Sequence, residues 1–310
     1  MAVDKLFQRS QAVANLGRLI TAMVTPFDER GEVDYRQTRR LAQALFESGS
    51  EGVVVSGTTG ESPTLTKEEK LRLFAEVKSA VGQGVVAGTG SYSTRESIEL
   101  TREAEKAGVD AILLVVPYYN KPTQEGLFQH FKAIAESTSL PCILYNVPGR
   151  TVTNLAAETV SRLSQINNIV GVKEASGNLE QISKIISDTK KDFLVYSGND
   201  GDTLPILALG GYGVISVASH LVGNQIKAMM EKFLNGHSEE AAQIHRSLLP
   251  LFNALFVVAN PIPIKYALNH IGFPVGKPRL PLLEPDEKTK ALIGTTLKAY
   301  SINIPSGYLK

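Results

Sequence analysis

Eight short runs of aliphatic and β-branched residues, at 19–24, 52–56, 85–88, 111–116, 142–145, 170–173, 193–196 and 214–217, punctuate this 310-residue chain. Apolar runs of this length without alternation are the pattern of strands buried on both faces. The stretches between them read as amphipathic helices. The stretch 35–47 is one, with Leu41, Leu45 and Phe46 on one side and Arg36, Arg39 and Arg40 on another. Strand and helix alternating eight times predict a parallel sheet covered by helices, and eight is the number that closes a (β/α)8 TIM barrel, an α/β fold. An open doubly wound sheet is the competing arrangement. Gly88-Thr89-Gly90 follows a strand as a dinucleotide fingerprint would, but Ser93 stands where the third glycine belongs.

Boundary signals agree with the alternation. Thr66 followed by Glu69 makes a capping box, Asn154 and Asn178 precede helical patterns, and Gly49, Gly108 and Gly210 follow them. Beyond the eighth run come three further helical patterns at 238–256, 262–271 and 287–301, separated by Pro261 and a proline-rich stretch at 272–285. The expected organisation is an N-terminal extension at 1–17, the barrel at 18–236 and a C-terminal helical extension at 237–310. The extension's apolar faces must pack on the barrel or on a neighbouring subunit.

Charge narrows the partners. Lys and Arg number 32 against 31 Asp and Glu, which argues against nucleic acid and anionic membranes. No apolar run approaches the roughly 20 residues of a membrane helix. Asp4, Lys5, Arg9 and Arg18 interrupt the first twenty residues, unlike a secretory signal. A single cysteine, Cys142, cannot form an internal disulfide. The expected setting is the cytoplasm.

In such a barrel the chemistry belongs at the carboxyl ends of the strands. There the sequence has Gly57-Thr58-Thr59-Gly60-Glu61, Pro117-Tyr118-Tyr119-Asn120, Tyr145-Asn146-Val147-Pro148-Gly149-Arg150 and Lys173-Glu174. A lysine inside the apolar run Ile169-Val170-Gly171-Val172-Lys173 is costly unless neutral or paired, because burial disfavours an ammonium. A neutral amine attacks ketones and aldehydes to give Schiff bases. The plainer reading is an ion pair with a neighbouring carboxylate. Thr58 and Thr59 offer N–H groups and hydroxyls to a carboxylate, or form a local turn. Tyr145 has the position to shuttle a proton, or packs as a core residue with a wet tip; Arg150 suits a carboxylate, or is a solvated surface arginine. His130, His220, His237, His245 and His270 have no metal-ligand spacing, so no metal is expected. Asn199, Asp200 and Asp202 either line the rim or cap the next helix.

Through residues 57–61 and the pair Tyr145 and Lys173, the chain resembles the pyruvate-dependent class I aldolases, the family that includes N-acetylneuraminate lyase, over nearly its whole length. The resemblance implies that Lys173 forms a Schiff base with pyruvate and that the derived enamine attacks L-aspartate 4-semialdehyde, in the diaminopimelate branch of lysine biosynthesis. It assigns Tyr145, Thr58 and Tyr119 to a proton relay, with Tyr119 reaching into a neighbouring subunit. It assigns Thr58 and Thr59 to the pyruvate carboxylate, Arg150 to the semialdehyde carboxylate, and the main chain at Gly198 and Ile215 to the pocket wall. A homotetramer built as a dimer of dimers, and no metal or nucleotide cofactor, are also implied. Arg150 separates this branch from the neuraminate lyases, which also favour a Ser-Thr pair in the first motif. L-Lysine is an implied effector: Ser62, Glu96 and Tyr118 match its site, while Lys67, Lys70 and Tyr92 depart from the enterobacterial pattern. The competing functions are a sugar-acid aldolase using the same Schiff base, a metal- or phosphate-dependent barrel, and a non-catalytic barrel that binds a carboxylate.

Overall fold

Every one of the eight apolar runs is a strand in the computed structural model, which describes residues 16–309. The strands are β1 (Leu19–Ala22), β2 (Gly52–Val55), β3 (Val85–Gly88), β4 (Ala111–Val115), β5 (Cys142–Asn146), β6 (Ile169–Glu174), β7 (Leu194–Ser197) and β8 (Gly213–Ser216). They pair in parallel in chain order, and β8 closes on β1. Closure excludes the open sheet.

Between and after the strands run α1 (Tyr35–Glu47), α2 (Lys67–Val81), α3 (Thr94–Lys106), α4 (Gln124–Ala135), α5 (Ala157–Leu163), α6 (Leu179–Asp188), α7 (Thr203–Ala208) and α8 (Ser219–Leu234). Each buries one stripe on the strands: Leu41 and Leu45 from α1, Leu127, Phe131 and Ile134 from α4. Each such leucine contributes roughly 2 kcal/mol of burial.

The local signals act largely as expected. Thr66 and Glu69 form a reciprocal capping box, and the Asn178 side chain accepts from Gln181 N. Gly49, Gly108 and Gly210 follow their helices with φ of 102°, 78° and 102°. Asn154 departs from expectation: α5 starts later, with Ala156 as its cap. The Asn154 carboxamide is already used, accepting from Asn146 Nδ2 at 2.8 Å and donating to Gln181 Oε1 at 2.8 Å.

Residues 1–15 of the expected N-terminal extension lie outside the described residues. The next two cross the amino end of the barrel. Tyr212 donates to Leu16 O and Tyr196 to Gly17 O, each at 3.0 Å, and the Arg18 guanidinium stacks 4.3 Å above the Tyr212 ring. Beyond α8 follow α9 (Ser238–Leu255), α10 (Ile262–His270) and α11 (Glu287–Leu297). α9 packs on α8 and buries Leu248, Leu251, Phe252 and Leu255, and α10 and α11 pack on each other. Among the described residues no helix is long and apolar enough to cross a membrane.

Candidate active site

The pleat decides which side chains enter the barrel. Register partners on adjacent strands share a face, and Tyr145 pairs with Val115 on one side and Lys173 on the other. Lys173 pairs onward with Tyr196, and Tyr196 with Gly213, two residues before Ile215. Lys173, Tyr145 and Ile215 therefore all face inward. Lys173 is 5% exposed, and its Nζ lies 4.3 Å from the Tyr145 ring centroid. The plainer reading of an ion-paired lysine is not what the side chain does, since no carboxylate stands within bridging distance among the described ion pairs.

The carboxylate next in sequence, Glu174, points to the other face. It accepts from Asn146 Nδ2, Gln181 Nε2 and Ser176 N, and burial pushes its carboxyl up against the pull of those bonds. Gly198 makes room for the lysine. A Cβ there would sit 2.7 Å from Ala175 Cβ and 3.2 Å from Lys173 Cε, so the close approach needs glycine.

Asp200, left open between rim and cap in the sequence, does neither. It is buried and accepts from Ser216 Oγ, Val217 N at 3.2 Å and Ala218 N at 3.1 Å, tying the end of β7 to the end of β8. Burial pushes its carboxyl up, opposed by those bonds and by the charge of Lys173.

Beside this group opens a cavity of about 210 Å³ whose walls include Thr58, Tyr118, Tyr145, Val147 and Arg150. Thr58 sits on a loop held by Glu61 N to Thr58 O at 3.1 Å, Ser62 N to Gly57 O at 3.2 Å and Thr25 Oγ1 to Gly60 O at 2.7 Å. Thr59 is buried and turned aside, its hydroxyl accepting from Asn260 Nδ2 at 2.8 Å. Arg150 stands on a single helical turn, Pro148–Thr151, and donates from Nη2 to Asn260 O at 3.1 Å. Tyr119 is 94% exposed with φ of 74° and lines no part of this cavity; Lys173, Gly198 and Ile215 flank the group around Tyr145 without lining the cavity itself.

Asn260 escaped the sequence reading. It joins Thr59 to Arg150, and its Oδ1 is buried with no partner. Its only trace in the sequence is its place before Pro261, which gives no hint of Thr59. Lys265 escaped as well. It forms a buried pair with Glu61, and the visible signal was a lysine within Ile262-Pro263-Ile264-Lys265.

The residues matched to an effector site divide. Tyr118 and Tyr92 meet edge to face with centroids 5.2 Å apart. Burial raises the Tyr118 hydroxyl above its usual range, aided by Tyr92 and Glu96; burial lowers Lys70, with Glu96 opposing. Ser62 lines the cavity and accepts from Ser56 Oγ at 3.3 Å. Lys67 stands apart, in a separate groove with Glu99, Arg102 and Glu103.

The histidines with buried rings are structural. His220 donates from Nδ1 to Val217 O and accepts at Nε2 from Val24 N, while His130 bonds Thr94 Oγ1. Burial lowers both to about 4. Among the described residues no group of three or more His, Cys, Asp or Glu could hold a metal ion.

Comparison with known proteins gives one answer. Residues 15–300 match the family described as the dihydrodipicolinate synthetase family. The 4-hydroxy-tetrahydrodipicolinate synthase of Dehalococcoides mccartyi strain CBDB1 is 66% identical over 292 residues, 94% of this chain and 98% of that protein. The crystal structure of the Cyanidioschyzon merolae synthase with lysine bound superposes with a TM-score of 0.91 at 50% identity, covering 95% of this chain and 99% of that one. The synthase DapA-2 of Bacillus anthracis gives a TM-score of 0.90 at 48% identity, covering 92% and 98%.

Proposed function

The chain belongs to the dihydrodipicolinate synthetase family, and from that premise we propose that it is an aldolase-type lyase condensing pyruvate with L-aspartate 4-semialdehyde to 4-hydroxy-tetrahydrodipicolinate. The observation that carries the reading is Lys173, turned into the barrel and unpaired by a carboxylate, against the ring of Tyr145. In neutral form its amine adds to C2 of pyruvate and the carbinolamine loses water to leave an iminium. That iminium is an electron sink: a methyl proton leaves, and the resulting enamine attacks the aldehyde carbon. The aldehyde oxygen takes a proton and becomes the hydroxyl of the product. The amine of the semialdehyde then displaces Lys173 and closes the ring.

Tyr145 and Thr58 share the cavity wall and are assigned to proton transfer with Tyr119. Thr58 and Thr59 take the pyruvate carboxylate, and Arg150, at the outer rim, takes the carboxylate of the aldehyde through its planar fork. The main chain at Gly198 and Ile215 is assigned to the wall beside Lys173, which Gly198 lets approach closely. The exposure of Tyr119 suits a residue that completes the site of a second subunit, and the assembly we assign is a homotetramer, a dimer of dimers. The chemistry asks for no metal or nucleotide. L-Lysine is the assigned effector, at the group formed by Ser62, Lys70, Tyr92, Glu96 and Tyr118, and the cytoplasm the assigned compartment. Residues 18–236 supply the chemistry and 237–310 the packing that supports it.

A sugar-acid aldolase would share the Schiff base but has no use for Arg150 at a short dicarboxylate site, and a carboxylate sensor has no use for Lys173. The test is intact-mass spectrometry after incubation with pyruvate and borohydride. A reduced pyruvate adduct on the parent and none on Lys173→Ala supports the mechanism; no adduct on folded parent protein overturns it.

A further inference from the structure

Glu61 closes the loop that carries Thr58 and Thr59, yet its side chain turns away from the cavity. It is buried at 1% side-chain exposure against an equally buried Lys265 from α10, Nζ to Oε1 at 2.7 Å. Its second oxygen accepts from Arg279 N at 2.8 Å. Its backbone has φ of 58°, the left-handed region that non-glycine residues rarely enter and that persists only where surroundings fix it. Its own N–H bonds Thr58 O at 3.1 Å, so the side chain's anchor and the substrate-facing residue are one link apart.

The anchor is itself held. Lys265 Nζ also donates to Lys277 O at 3.1 Å and lies 4.0 Å from the Phe27 ring centroid, with the Arg279 guanidinium 4.4 Å from the same centroid. Arg279 donates to both oxygens of Glu69, to Gly31 O and to Thr64 O. A pair this deeply buried is a poor source of stability compared with apolar residues of the same shape. What it supplies is a directional contact between the C-terminal extension and one loop.

We infer that Glu61 and Lys265 are positioning residues, a clamp by which α10 sets the height of the Thr58–Thr59 loop over the cavity and so tunes the affinity for the carboxylate of the first substrate. This rests on the pyruvate reading above, so adduct formation by the parent enzyme is the control that separates failure of that reading from failure of this one.

The test is the double variant E61Q/K265M, which leaves no lone buried charge, compared with the parent in thermal unfolding and in the pyruvate concentration that half-saturates borohydride trapping. Loss of a charged contact acting on the loop raises that concentration about tenfold, with Lys173 still trapped at saturating pyruvate. A purely structural pair moves the melting temperature and leaves half-saturation alone. If the double variant folds and half-saturates within twofold of the parent, the clamp is overturned. Should it fail to fold, E61Q alone decides, because its one amide oxygen can still accept from Arg279 N while the charged contact with Lys265 is lost: half-saturation raised about threefold supports the clamp, and an unchanged value overturns it.

Discussion

Asn260 donates its side-chain amide to the Thr59 hydroxyl at 2.8 Å across 201 positions of chain, while its main-chain oxygen takes the Arg150 guanidinium at 3.1 Å. One residue of the C-terminal region thus spans the places assigned to the two substrate carboxylates. Asn260→Ala removes only the side-chain half of that bridge and keeps the main-chain oxygen, so it is expected to raise the half-saturating concentration of pyruvate by about threefold or more, to leave that of the aldehyde within about twofold, and to lower unfolding free energy by about 1 kcal/mol. Steady-state kinetics with each substrate varied, and urea unfolding, check it; an unchanged value for pyruvate contradicts the role of the Thr59 contact.

Arg150→Ala is expected to separate the two halves of the reaction. Removing a guanidinium from the second carboxylate raises KM for the aldehyde by about tenfold or more. Adduct formation with pyruvate stays within about twofold of the parent, because the Schiff base precedes that contact. Equal loss in both assays would place Arg150 on pyruvate.

Tyr119 stands out of its own cavity, so its test is a mixing experiment. Tyr119→Phe is expected to lower kcat about a hundredfold, the scale of one lost proton-transfer group, with pyruvate trapping retained. Mixed with Lys173→Ala and allowed to exchange subunits, it should regain activity, since some sites then hold an intact lysine and a partner's intact tyrosine. No recovery in a proven mixed assembly would return Tyr119 to its own subunit.

His220 predicts an acid limb of stability. Burial lowers it to about 4 in the folded state against about 6.5 in an unfolded chain. Between these values the unfolded chain binds the extra proton, so stability is full above about pH 6.5 and falls as pH drops towards 4, by roughly 3 kcal/mol. His220→Gln should flatten that part of the curve, read as urea midpoints from about pH 4.5 to 7. Glu174 and Asp200, both raised, work in the opposite direction, because the folded state holds their protons longer; they cancel in the comparison with the parent. Parallel curves would remove His220 as the cause.

L-Lysine is expected to inhibit in the millimolar range, and Glu96→Gln to weaken that inhibition, since Glu96 is the carboxylate beside Lys70 and Tyr118. A flat activity curve across millimolar lysine would remove the effector.

The barrel was legible because its determinants are local. Each buried strand is a contiguous apolar run, and the Thr66–Glu69 box spans one turn, so neither depends on knowing what lies across the molecule. Lys173 was legible for the same reason, as a charge in an apolar run. Its inward direction was not: the face follows from strand register, which shifts between Cys142 and Ile143 where β5 meets β6. Asn154 misled because a helix-starting residue was already engaged by Asn146 and Gln181. The partners of Lys265 and Asn260 were invisible because they lie more than 200 positions away, although Lys265 itself showed as a lysine in an apolar stretch.

The tyrosines that hold residues 16 and 17 stand in β7 and just before β8, while the residues they hold lead straight into β1. The chain's entry into its first strand is therefore fastened to its last two strands, at the seam where β8 closes on β1. The hoop is buckled at the joint between its two ends.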